Sequence, residues 1–293
     1  MRVLVTGGTG LIGSAVVADL LHNGHSVLAL ARSRASARAV EAAGAEPLPG
    51  TLADLDTLRA GAARTDGVIH LAFHHDFSTP ETLAKSAAEE SAALAALSEA
   101  LVGSDRPLVT CSGTPHTPGR AATEADPLLT DGPVGGRGRA VTAVLGLSSG
   151  GVRSSTVRLP RTVHHHGVGG FAGLLTDIAR RTGASGYPGD STQRWSAVDA
   201  LDAATLFRFA LKHAEAGTSW HAVADEGDQV RDIATVIGRR LGLPVQPVPT
   251  ETFGPLGPIF ARDPPATSTH TRQELGWKLQ HPSLLQDLEN IQP

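Results

Sequence analysis

The chain begins with the segment Arg2-Val3-Leu4-Val5-Thr6-Gly7-Gly8-Thr9-Gly10-Leu11-Ile12-Gly13-Ser14, and this segment decides the fold. Residues 3–5 are an apolar run that predicts a buried parallel strand, and the apolar periodicity of residues 11–21 predicts a helix. Between them, Gly8, Gly10 and Gly13 have the spacing of a dinucleotide-binding loop. The first glycine would form the tight turn, the second would let the backbone approach a pyrophosphate, and the third would let the helix pack against the strand. The alternative is a glycine turn that binds no ligand.

The composition is that of a globular chain with no marked charge. Of its 293 residues 41% are apolar, which is enough for one large or two modest domains, and the formal net charge is −4. This mild acidity predicts no nucleic-acid or membrane partner, and no apolar stretch approaches the roughly 18 residues needed to cross a bilayer. Cys111 is the single cysteine, so we expect no internal disulfide and a cytoplasmic setting. Its place at the end of an apolar run indicates a small buried residue rather than a nucleophile.

Strand-like and helix-like segments alternate through the first half of the chain. Strands are predicted at residues 3–5, 26–31, 46–48, 67–71, 108–111 and 154–159, and helices at 11–21, 35–43, 55–62, 80–102 and 138–147. This alternation predicts an α/β fold with a doubly wound parallel sheet. Beyond Pro160 the pattern predicts helices at 171–182, 200–214, 230–241 and 283–290, with a proline-rich loop or lid at 247–265.

Several stretches resemble a protein family. Residues 6–13 are similar to the TGxxGxxG signature of extended short-chain dehydrogenases/reductases, the epimerase/dehydratase-like group. The resemblance recurs at Asp66-Gly67-Val68-Ile69-His70-Leu71-Ala72, Thr110-Cys111-Ser112-Gly113-Thr114, Val157-Arg158-Leu159-Pro160, Gly189-Asp190 and Trp195-Ser196-Ala197-Val198-Asp199. It implies a Rossmann domain, at residues 1–160, and a smaller C-terminal substrate lobe, mainly at 161–293, with part of 186–220 returning to the Rossmann core. It also implies a small-molecule substrate and a monomer or homodimer.

The end of the second predicted strand bears on which nicotinamide cofactor is used. In this fold an acidic residue there hydrogen-bonds the ribose 2′-hydroxyl of NAD. Here the sequence is Ala31-Arg32-Ser33-Arg34, with no carboxylate. Arg32 can pair with a 2′-phosphate through its planar fork, Ser33 can donate a further hydrogen bond, and Arg34 adds positive charge. The sequence therefore favours NADP(H) over NAD(H); the alternative is a solvated arginine on a loop.

The resemblance also implies the remaining cofactor contacts. Leu52 and Asp54 would lie near the adenine, but Thr51 stands where many relatives have an acidic residue, so an adenine contact from that position stays open. The complete predicted cofactor-binding set is Gly7, Thr9, Gly10, Leu11, Ile12, Gly13, Arg32, Ser33, Leu52, Leu71, Ala72, Phe73 and Pro160.

The catalytic pair of the resembled family is missing from the sequence. Its members use Tyr-x-x-x-Lys with a nearby Ser or Thr, whereas this chain has one tyrosine, Tyr187, followed four residues later by Ser191. Spacing from the 157–160 stretch puts Arg137 near the lysine position and Pro133 near the tyrosine position. In a second register Arg137 takes the tyrosine position and Val141 the lysine position. Arg137 could hold the ribose hydroxyls or be an ordinary surface arginine.

The remaining candidates for proton chemistry are a serine and two histidine clusters. Ser112 aligns with the family's active-site Ser/Thr and follows a strand, so it should lie at the carboxyl end of the sheet. Histidine titrates near neutral pH, and His74 and His164 are the better placed members of residues 74–75 and 164–166. The alternative is that these histidines are ordinary polar residues of loops. We predict no metal, because consecutive histidines on an extended segment point to opposite faces.

The C-terminal part offers a possible substrate pocket. Phe171, Leu174, Leu175, Trp195 and Phe260 could line it, although helical spacing favours core packing for Leu174 and Leu175. Asp199 and Asp202 lie in the stretch that resembles the family's turn into a helix. They would cap and orient that helix rather than take part in catalysis.

The leading interpretation is an NADP(H)-dependent oxidoreductase acting by hydride transfer on a small, rather apolar carbonyl, imine or alcohol. The nicotinamide would carry the hydride, Ser112 would orient the substrate, and water or a histidine would supply the proton. Because the Tyr-Lys pair is missing, a non-catalytic NADP-binding sensor is an alternative. A non-redox isomerase or lyase on the same scaffold is another, since fold alone does not decide function.

Overall fold

The computed structural model describes residues 1–75, 79–132, 135–189 and 191–292. Pro133 and Asp190, which entered the sequence predictions above, lie outside these ranges. The first half consists of β1 (Arg2–Thr6), α1 (Leu11–His22), β2 (Ser26–Ala31), α2 (Arg34–Ala42), β3 (Glu46–Pro49), α3 (Leu55–Ala63), β4 (Gly67–His70), α4 (Pro80–Glu99), β5 (Pro107–Gly113), α5 (Gly135–Leu145) and β6 (Arg153–Leu159). Each of these elements was predicted, and their ends shift by three residues or fewer.

The second half of the chain has shorter strands and helices. It contains β7 (Thr162–His164), α6 (Gly170–Thr182), β8 (Ser185–Pro188), β9 (Arg194–Asp199), α7 (Ala200–His213), β10 (Thr218–His221), β11 (Asp225–Gln229), α8 (Val230–Leu241), β12 (Val245–Val248), α9 (Gly257–Phe260), α10 (Thr269–Leu275) and α11 (Leu284–Asp287). Short 3₁₀ turns cover Thr250–Leu256 and Leu288–Asn290. The four predicted helices are present, the last one as α11 and the 3₁₀ turn after it.

The prediction of an irregular loop or lid at residues 247–265 was wrong. Pro247 and Val248 belong to β12, which pairs in parallel with β8, and helical turns fill most of the rest. Proline's fixed φ suits an edge strand and the first turn of a helix, so a high proline content does not by itself exclude regular structure. Phe253 and Phe260 are 4% and 0% exposed, and their burial holds the segment against the lobe.

The main sheet has seven strands in the order β10-β6-β5-β4-β1-β2-β3, all parallel. The predicted doubly wound Rossmann sheet is confirmed. The strand order reverses between β1 and β4, and ligands of such sheets bind at that crevice. We use the name carboxyl edge for the edge of the main sheet at which β1, β4, β5 and β6 end. The glycine loop, residues 71–73 and Ser112 all lie along it.

Helices cover both faces of the main sheet. On one face α1 and α7 pack through buried side chains such as Leu20 and Phe207, and Arg208 of α7 donates to Asp19 of α1 at 2.7 Å. On the other face α3, α4 and α5 pack through residues such as Leu58 and Leu97. Each fully buried Leu or Phe of this kind contributes about 1.5–3 kcal/mol relative to an exposed one. The carboxyl edge is therefore held on a rigid base.

The C-terminal residues add two small sheets. One has the order β11-β9-β7, and the other pairs β12 with β8. A third apolar cluster, which includes Trp195, Ile233 and Phe260, fills the space between these sheets and helices α6 and α8. β10 leaves this region and pairs in parallel with β6 of the main sheet. Among the described residues, no helix has both the length and the apolar character needed to span a membrane.

Candidate functional site

The glycine loop is shaped by close backbone contacts. Gly7 has φ +75°, and a Cβ on it would lie 2.8 Å from the backbone nitrogen of Ala72. A Cβ on Gly13 would overlap the carbonyl oxygen of Gly7, so Gly13 permits the close helix packing predicted for it. The tight turn is at Gly7 and not, as predicted, at Gly8, which lacks a positive φ and instead faces Val17. The reason is that the chain must reverse direction directly after β1, one residue earlier than the motif spacing suggested.

The start of α1 is open to an anion. Gly10 is its N-cap and provides no side chain to cap the first turn, which contains no acidic residue. The first four N–H groups of a helix have no intrahelical partner and carry partial positive charge. A Cβ on Gly10 would touch only the Gly7 carbonyl, at 3.6 Å, and would otherwise extend into open space. Thr9 and Gly10 are exposed, and Leu11 and Ile12 are half-buried. This arrangement fits the pyrophosphate of a dinucleotide.

A buried hydroxyl fixes the neighbouring segment. Thr6 Oγ accepts hydrogen bonds from the backbone nitrogens of Leu71, at 3.2 Å, and Ala72, at 3.3 Å, and lies 2.9 Å from Nδ1 of His70. Burial, together with the positive charge of Arg137, lowers the pKa of His70 to about 3, so its ring is neutral at pH 7. Residues 71–73 are thereby held beside the glycine loop.

The N-terminus of α2 has the positive character predicted for it. Ser33 is the N-cap, and its Oγ accepts from the backbone nitrogen of Ser36 at 3.1 Å. The first turn has no acidic residue, and Arg32, Ser33 and Arg34 are exposed. Neither arginine takes part in an ion pair with another described residue. The helix N-terminus and two solvated arginines therefore surround the position where β2 ends.

In the turn after β3, the polar groups of Thr51 and Asp54 form hydrogen bonds with each other. Asp54 accepts from the backbone nitrogen of Thr51 at 2.7 Å and from its hydroxyl at 2.8 Å, and these hydrogen bonds lower the pKa of Asp54. The Thr51 hydroxyl is thus committed to this turn. Leu52 is half-buried and remains the apolar surface on which an adenine could rest.

Arg137 is the central charged group of the carboxyl edge. Its Nε and Nη2 donate to Glu90 of α4 at 2.7 and 2.8 Å, and its guanidinium carbon lies 3.9 Å from the ring centroid of Phe73. Nη2 is also 4.0 Å from Sγ of Cys111, the buried neighbour of Ser112. Burial alone would lower the pKa of Arg137, but Glu90 outweighs it and the pKa is raised. The alternative of an ordinary surface arginine is wrong.

Sequence reasoning missed Glu90. This carboxylate is 1% exposed and interrupts a stripe of buried residues on α4 that contains Leu83, Ala87, Leu94 and Leu97. The spacing of three and four residues places Glu90 in the middle of that stripe. An acidic residue inside an apolar helix face is the signal that could have revealed it, since a buried carboxylate needs a cationic or hydrogen-bonding partner.

The serine and one histidine cluster lie close to Arg137. Ser112 is 6% exposed, and its Oγ is 3.3 Å from that of Thr156 on β6. His75 stands edge-on to Phe73, with ring centroids 5.0 Å apart, and loss of solvation together with the Arg137 charge lowers the pKa of His75. His74, the predicted candidate, and His75 are both exposed. His75 is the better placed of the two, because the charge of Arg137 acts on its ring.

The prediction that His164 contacts a substrate was wrong. His164 is 1% exposed, and its Nδ1 lies 2.9 Å from Asp287, which also accepts from the backbone nitrogen of Gly167. Its strand β7 pairs with β9, which places His164 opposite Asp199 inside the lobe. Ligand atoms of His164, Asp199 and Asp287 lie within 4.8 Å of one another. Both carboxylates of this cluster already have hydrogen-bond partners. Asp199 pairs with Leu201 and His165, and Asp287 pairs with His164 and Gly167.

The other C-terminal candidates divide into structural roles. Asp199 caps α7 by accepting from Leu201 at 2.7 Å, as predicted. Asp202 accepts from the backbone nitrogens of residues 280 and 281 and lies 2.8 Å from Nδ1 of His281, which anchors the C-terminal segment. Tyr187 lies in β8, opposite Pro247 of β12.

The aromatic residues predicted to line a pocket mostly form core. Trp195 and Phe260 are 0% exposed, with ring centroids 5.1 Å apart, and Leu175 is also buried. Phe171 is half-buried, and the guanidinium carbon of Arg161 lies over its ring, 4.8 Å from the centroid. Leu174, for which core packing was favoured, is 37% exposed and lines an open depression of about 410 Å³ on the outer side of α6. None of the residues lining that depression belongs to the carboxyl edge.

Comparisons with known proteins agree with this geometry. The sequence model of the NAD dependent epimerase/dehydratase family matches residues 3–136. An uncharacterized protein of Schizosaccharomyces pombe is 43% identical over 294 residues, covering 98% of each chain. The chain belongs to the NAD-dependent epimerase/dehydratase family.

One further similarity covers only a quarter of this chain, and another shows a shared fold at low sequence identity. A 4-hydroxy-2-methyl-3-oxo-4-farnesyl-3,4-dihydroquinoline-1-oxide ketoreductase of Stigmatella aurantiaca is 44% identical over 72 residues, 25% of this chain and 22% of the ketoreductase. A double mutant of dTDP-glucose 4,6-dehydratase from Streptomyces venezuelae, solved with NAD bound, superposes with a TM-score of 0.79 at 19% identity. That superposition covers 99% of this chain and 95% of the dehydratase, and at this identity it shows the shared fold.

Proposed function

We propose that this family member is an NADP(H)-dependent oxidoreductase that transfers hydride to or from a small carbonyl, imine or alcohol. One observation carries the proposal: Glu90 holds the Arg137 guanidinium against Phe73 and beside the strand of Ser112. At the crevice of a Rossmann sheet, a fixed cation can hold the nicotinamide ribose and a hydroxyl can orient the substrate. The ketoreductase similarity supports the reaction type.

The chain's own groups would bind the cofactor as follows. The open first turn of α1 and the small Gly10 would receive the pyrophosphate, and residues 71–73 would support the nicotinamide half. The pair with Glu90 uses Nε and Nη2 of Arg137, which leaves Nη1 to donate to the ribose hydroxyls. A bound nicotinamide supplies or accepts the hydride.

The protein would then orient the substrate and manage one proton. Ser112 donates a hydrogen bond to the substrate oxygen or nitrogen. Arg137 stays charged because its pKa is raised, so it does not deliver a proton. His75 is neutral at pH 7 because its pKa is lowered, which suits accepting the alcohol proton in the oxidation direction. In the reduction direction protonated His75 returns that proton to the product, and because its lowered pKa makes this form scarce at pH 7, an already electrophilic imine or activated ketone is the preferred substrate.

NADP(H) rather than NAD(H) is the proposed cofactor. The support is local charge: the end of β2 has no carboxylate, Arg32 and Arg34 are solvated, and the N-terminus of α2 adds its own partial positive charge. A 2′-phosphate would neutralise this region, whereas the 2′-hydroxyl of NAD would leave it unpaired.

The test is an equilibrium fluorescence titration of the full chain with NADPH and, separately, NADH, followed by a screen for NADPH oxidation with ketones and imines. We expect NADPH to bind at least about tenfold more tightly, a difference of roughly 1.4 kcal/mol. Ser112→Ala should lower the turnover rate and leave NADPH affinity unchanged. If neither nucleotide binds at millimolar concentration, the oxidoreductase proposal fails.

A second function is favoured by the position of Tyr187 in β8, since the single phenol of the chain is part of a small C-terminal sheet. A protein that binds NADP without turning it over would act as a sensor. Tight NADPH binding, with no turnover on any ketone or imine, would favour this function over the oxidoreductase.

A further inference from the structure

A second partly buried arginine lies on the carboxyl edge. Arg161 follows Pro160 in the short link between β6 and β7. The last residue of β6, Leu159, accepts from the backbone nitrogen of Thr114 at 2.9 Å and is in register with Gly113, the neighbour of Ser112. Arg161 is therefore placed where the strand of Ser112 opens toward the C-terminal lobe.

Arg161 has no carboxylate partner. Its Nε is fully buried without a hydrogen-bond acceptor, and no hydrogen bond or ion pair to another described residue involves its guanidinium. The guanidinium lies over the ring of Phe171, whose centroid is 4.8 Å from the guanidinium carbon. Burial, reinforced by the charge of Arg262, lowers the pKa of Arg161 to about 10, so the group is still a cation at neutral pH.

The surrounding charges leave this position positive. Arg262 is exposed and, within the described ranges, unpaired. The adjacent Asp263 is already neutralised by Arg194, which donates to it from the backbone nitrogen at 2.7 Å and from Nη2 at 2.7 Å. A buried cation without an acceptor is unfavourable, and a planar guanidinium pairs best with an oxoanion.

We propose that Arg161 and Arg262 bind an anionic group of the substrate, a carboxylate or a phosphate, with the apolar part of the substrate on Phe171. This inference rests on the proposed function, because it names the substrate class for the same carboxyl edge. It also revises the expectation of a rather apolar substrate. The reacting carbonyl or imine would lie toward Ser112, and the anion at the far end of the pocket would fix its orientation.

The test uses three probes that share a phenyl ring. Phenylglyoxylate contains a ketone and a carboxylate, phenyl phosphate has a phosphate, and acetophenone is a neutral ketone. Binding of each to the full chain is measured by calorimetry with and without saturating NADPH. We expect at least one anion to bind tenfold or more tightly than acetophenone, and the stronger of the two identifies the anion type. Equal binding of acetophenone and both anions overturns the inference.

Variants assign the effect to the two arginines. Arg161→Met should weaken binding of the preferred anion at least tenfold, and Arg262→Met about threefold, because Arg262 is solvated. The matched control is Arg231→Met, since Arg231 is exposed on α8 and should have no effect. Unchanged anion binding in Arg161→Met overturns the inference.

Thermal unfolding separates a ligand-binding role from a structural one. Because Arg161 has no protein acceptor to lose, Arg161→Met should unfold at the same temperature as the wild-type chain or a higher one. A lower unfolding temperature, with anion binding unchanged, would indicate packing alone and would overturn the inference.

The two proposals can fail separately. If NADPH binds but neither anion does, the substrate class is wrong and the oxidoreductase proposal stands. If no nucleotide binds but an anion binds the free protein through Arg161, the oxidoreductase proposal fails and the anion site stands.

Discussion

Arg137 and Arg161 both lie partly buried along the carboxyl edge, but among the described residues only Arg137 has a carboxylate partner. Arg137 is held by two hydrogen bonds to Glu90 and stacks on Phe73. Arg161 stacks on Phe171 and has a buried Nε with no acceptor. The pKa values reflect this difference: Glu90 raises that of Arg137, whereas burial lowers that of Arg161.

The difference indicates two uses of the same side chain. The carboxylate of Glu90 fixes the position of Arg137 before any ligand arrives, which suits a group that must present one free nitrogen in a constant place. Arg161 has its charge uncompensated until an anion binds, which suits a group that selects a substrate. Four predictions test this comparison, starting with the largest effect.

Glu90→Gln should produce the largest change. It leaves the buried Arg137 cation without its counter-charge, and breaking a buried ion pair in this way costs about 3–5 kcal/mol. We expect the low end of that range, because the Arg137 side chain is 20% exposed. Urea unfolding gives the free energy, and the double variant Glu90→Leu with Arg137→Met should recover most of it.

Glu99→Gln is the matched control for that loss. Glu99 lies on the same helix and pairs with Arg59, but its side chain is 60% exposed, so we expect a loss of less than about 1 kcal/mol. Equal losses for Glu90→Gln and Glu99→Gln would show that Arg137 does not depend on a buried carboxylate.

Arg32→Ala should weaken NADPH binding about tenfold, or roughly 1.4 kcal/mol, and leave NADH binding unchanged. Removal of the guanidinium takes away one charge-assisted contact to the 2′-phosphate only. Arg38→Ala is the control, because Arg38 is exposed one helical turn farther along α2. A parallel loss of NADPH and NADH affinity in Arg32→Ala would contradict a specific phosphate contact.

Asp228 is an acidic residue that, like Arg161, has a buried side-chain atom without a hydrogen-bond partner. Its Oδ2 is buried without a partner, and burial, with the nearby charges of Asp225 and Asp232, raises the pKa of Asp228 to about 6. Because the folded pKa lies above the unfolded one, the folded chain holds the proton more tightly, and this stability is lost as the pH rises from about 4 to about 6.

Asp228→Asn should therefore stabilise the chain at pH 7 by about 1 kcal/mol, a value reduced for partial solvent screening. The gain should disappear near pH 4, where the wild-type carboxyl is protonated. Urea unfolding at the two pH values checks this, with Asp177→Asn on the exposed side of α6 as the control. A gain that does not change with pH would exclude a charged Asp228 as its cause.

Asp263→Asn should have the smallest effect. It releases Arg194 from its ion pair and adds an uncompensated positive charge near Arg262. We expect binding of the preferred phenyl anion to tighten about threefold at low salt and to return toward the wild-type value at high salt, since solvated charges are screened. Tightening of acetophenone binding by the same factor would show that the change is not electrostatic.

Much of the first half was predictable because its signals are local. The glycine spacing, the apolar runs and the alternation of strands and helices are properties of neighbouring residues, and the elements from Arg2 to Leu159 follow them closely. The cap at Asp199 was predictable for the same reason. The positive φ at Gly7 was not, because it depends on how near Ala72, in the loop after β4, comes to the glycine loop.

The candidate site was less predictable than the fold. Ser112 and Arg137 were found from spacing and resemblance, but the partner of Arg137 was not, since Glu90 is 47 residues away in the chain. His164 was misplaced because adjacent histidines look alike in sequence, and only the pairing of β7 with β9 directs this one into the lobe. The regular structure in residues 247–265 depends on β8 and on the aromatic core, which the proline content concealed.

The sequence by itself determined the doubly wound sheet, the glycine loop at its crevice, the positive end of β2 and the lack of a Tyr-x-x-x-Lys pair. These follow from residue type and short-range spacing. Only the tertiary structure decided that Arg137 is paired and Arg161 is not. The physical reason is that the state of a buried charge depends on which distant side chains fold around it, and a linear pattern does not contain that information.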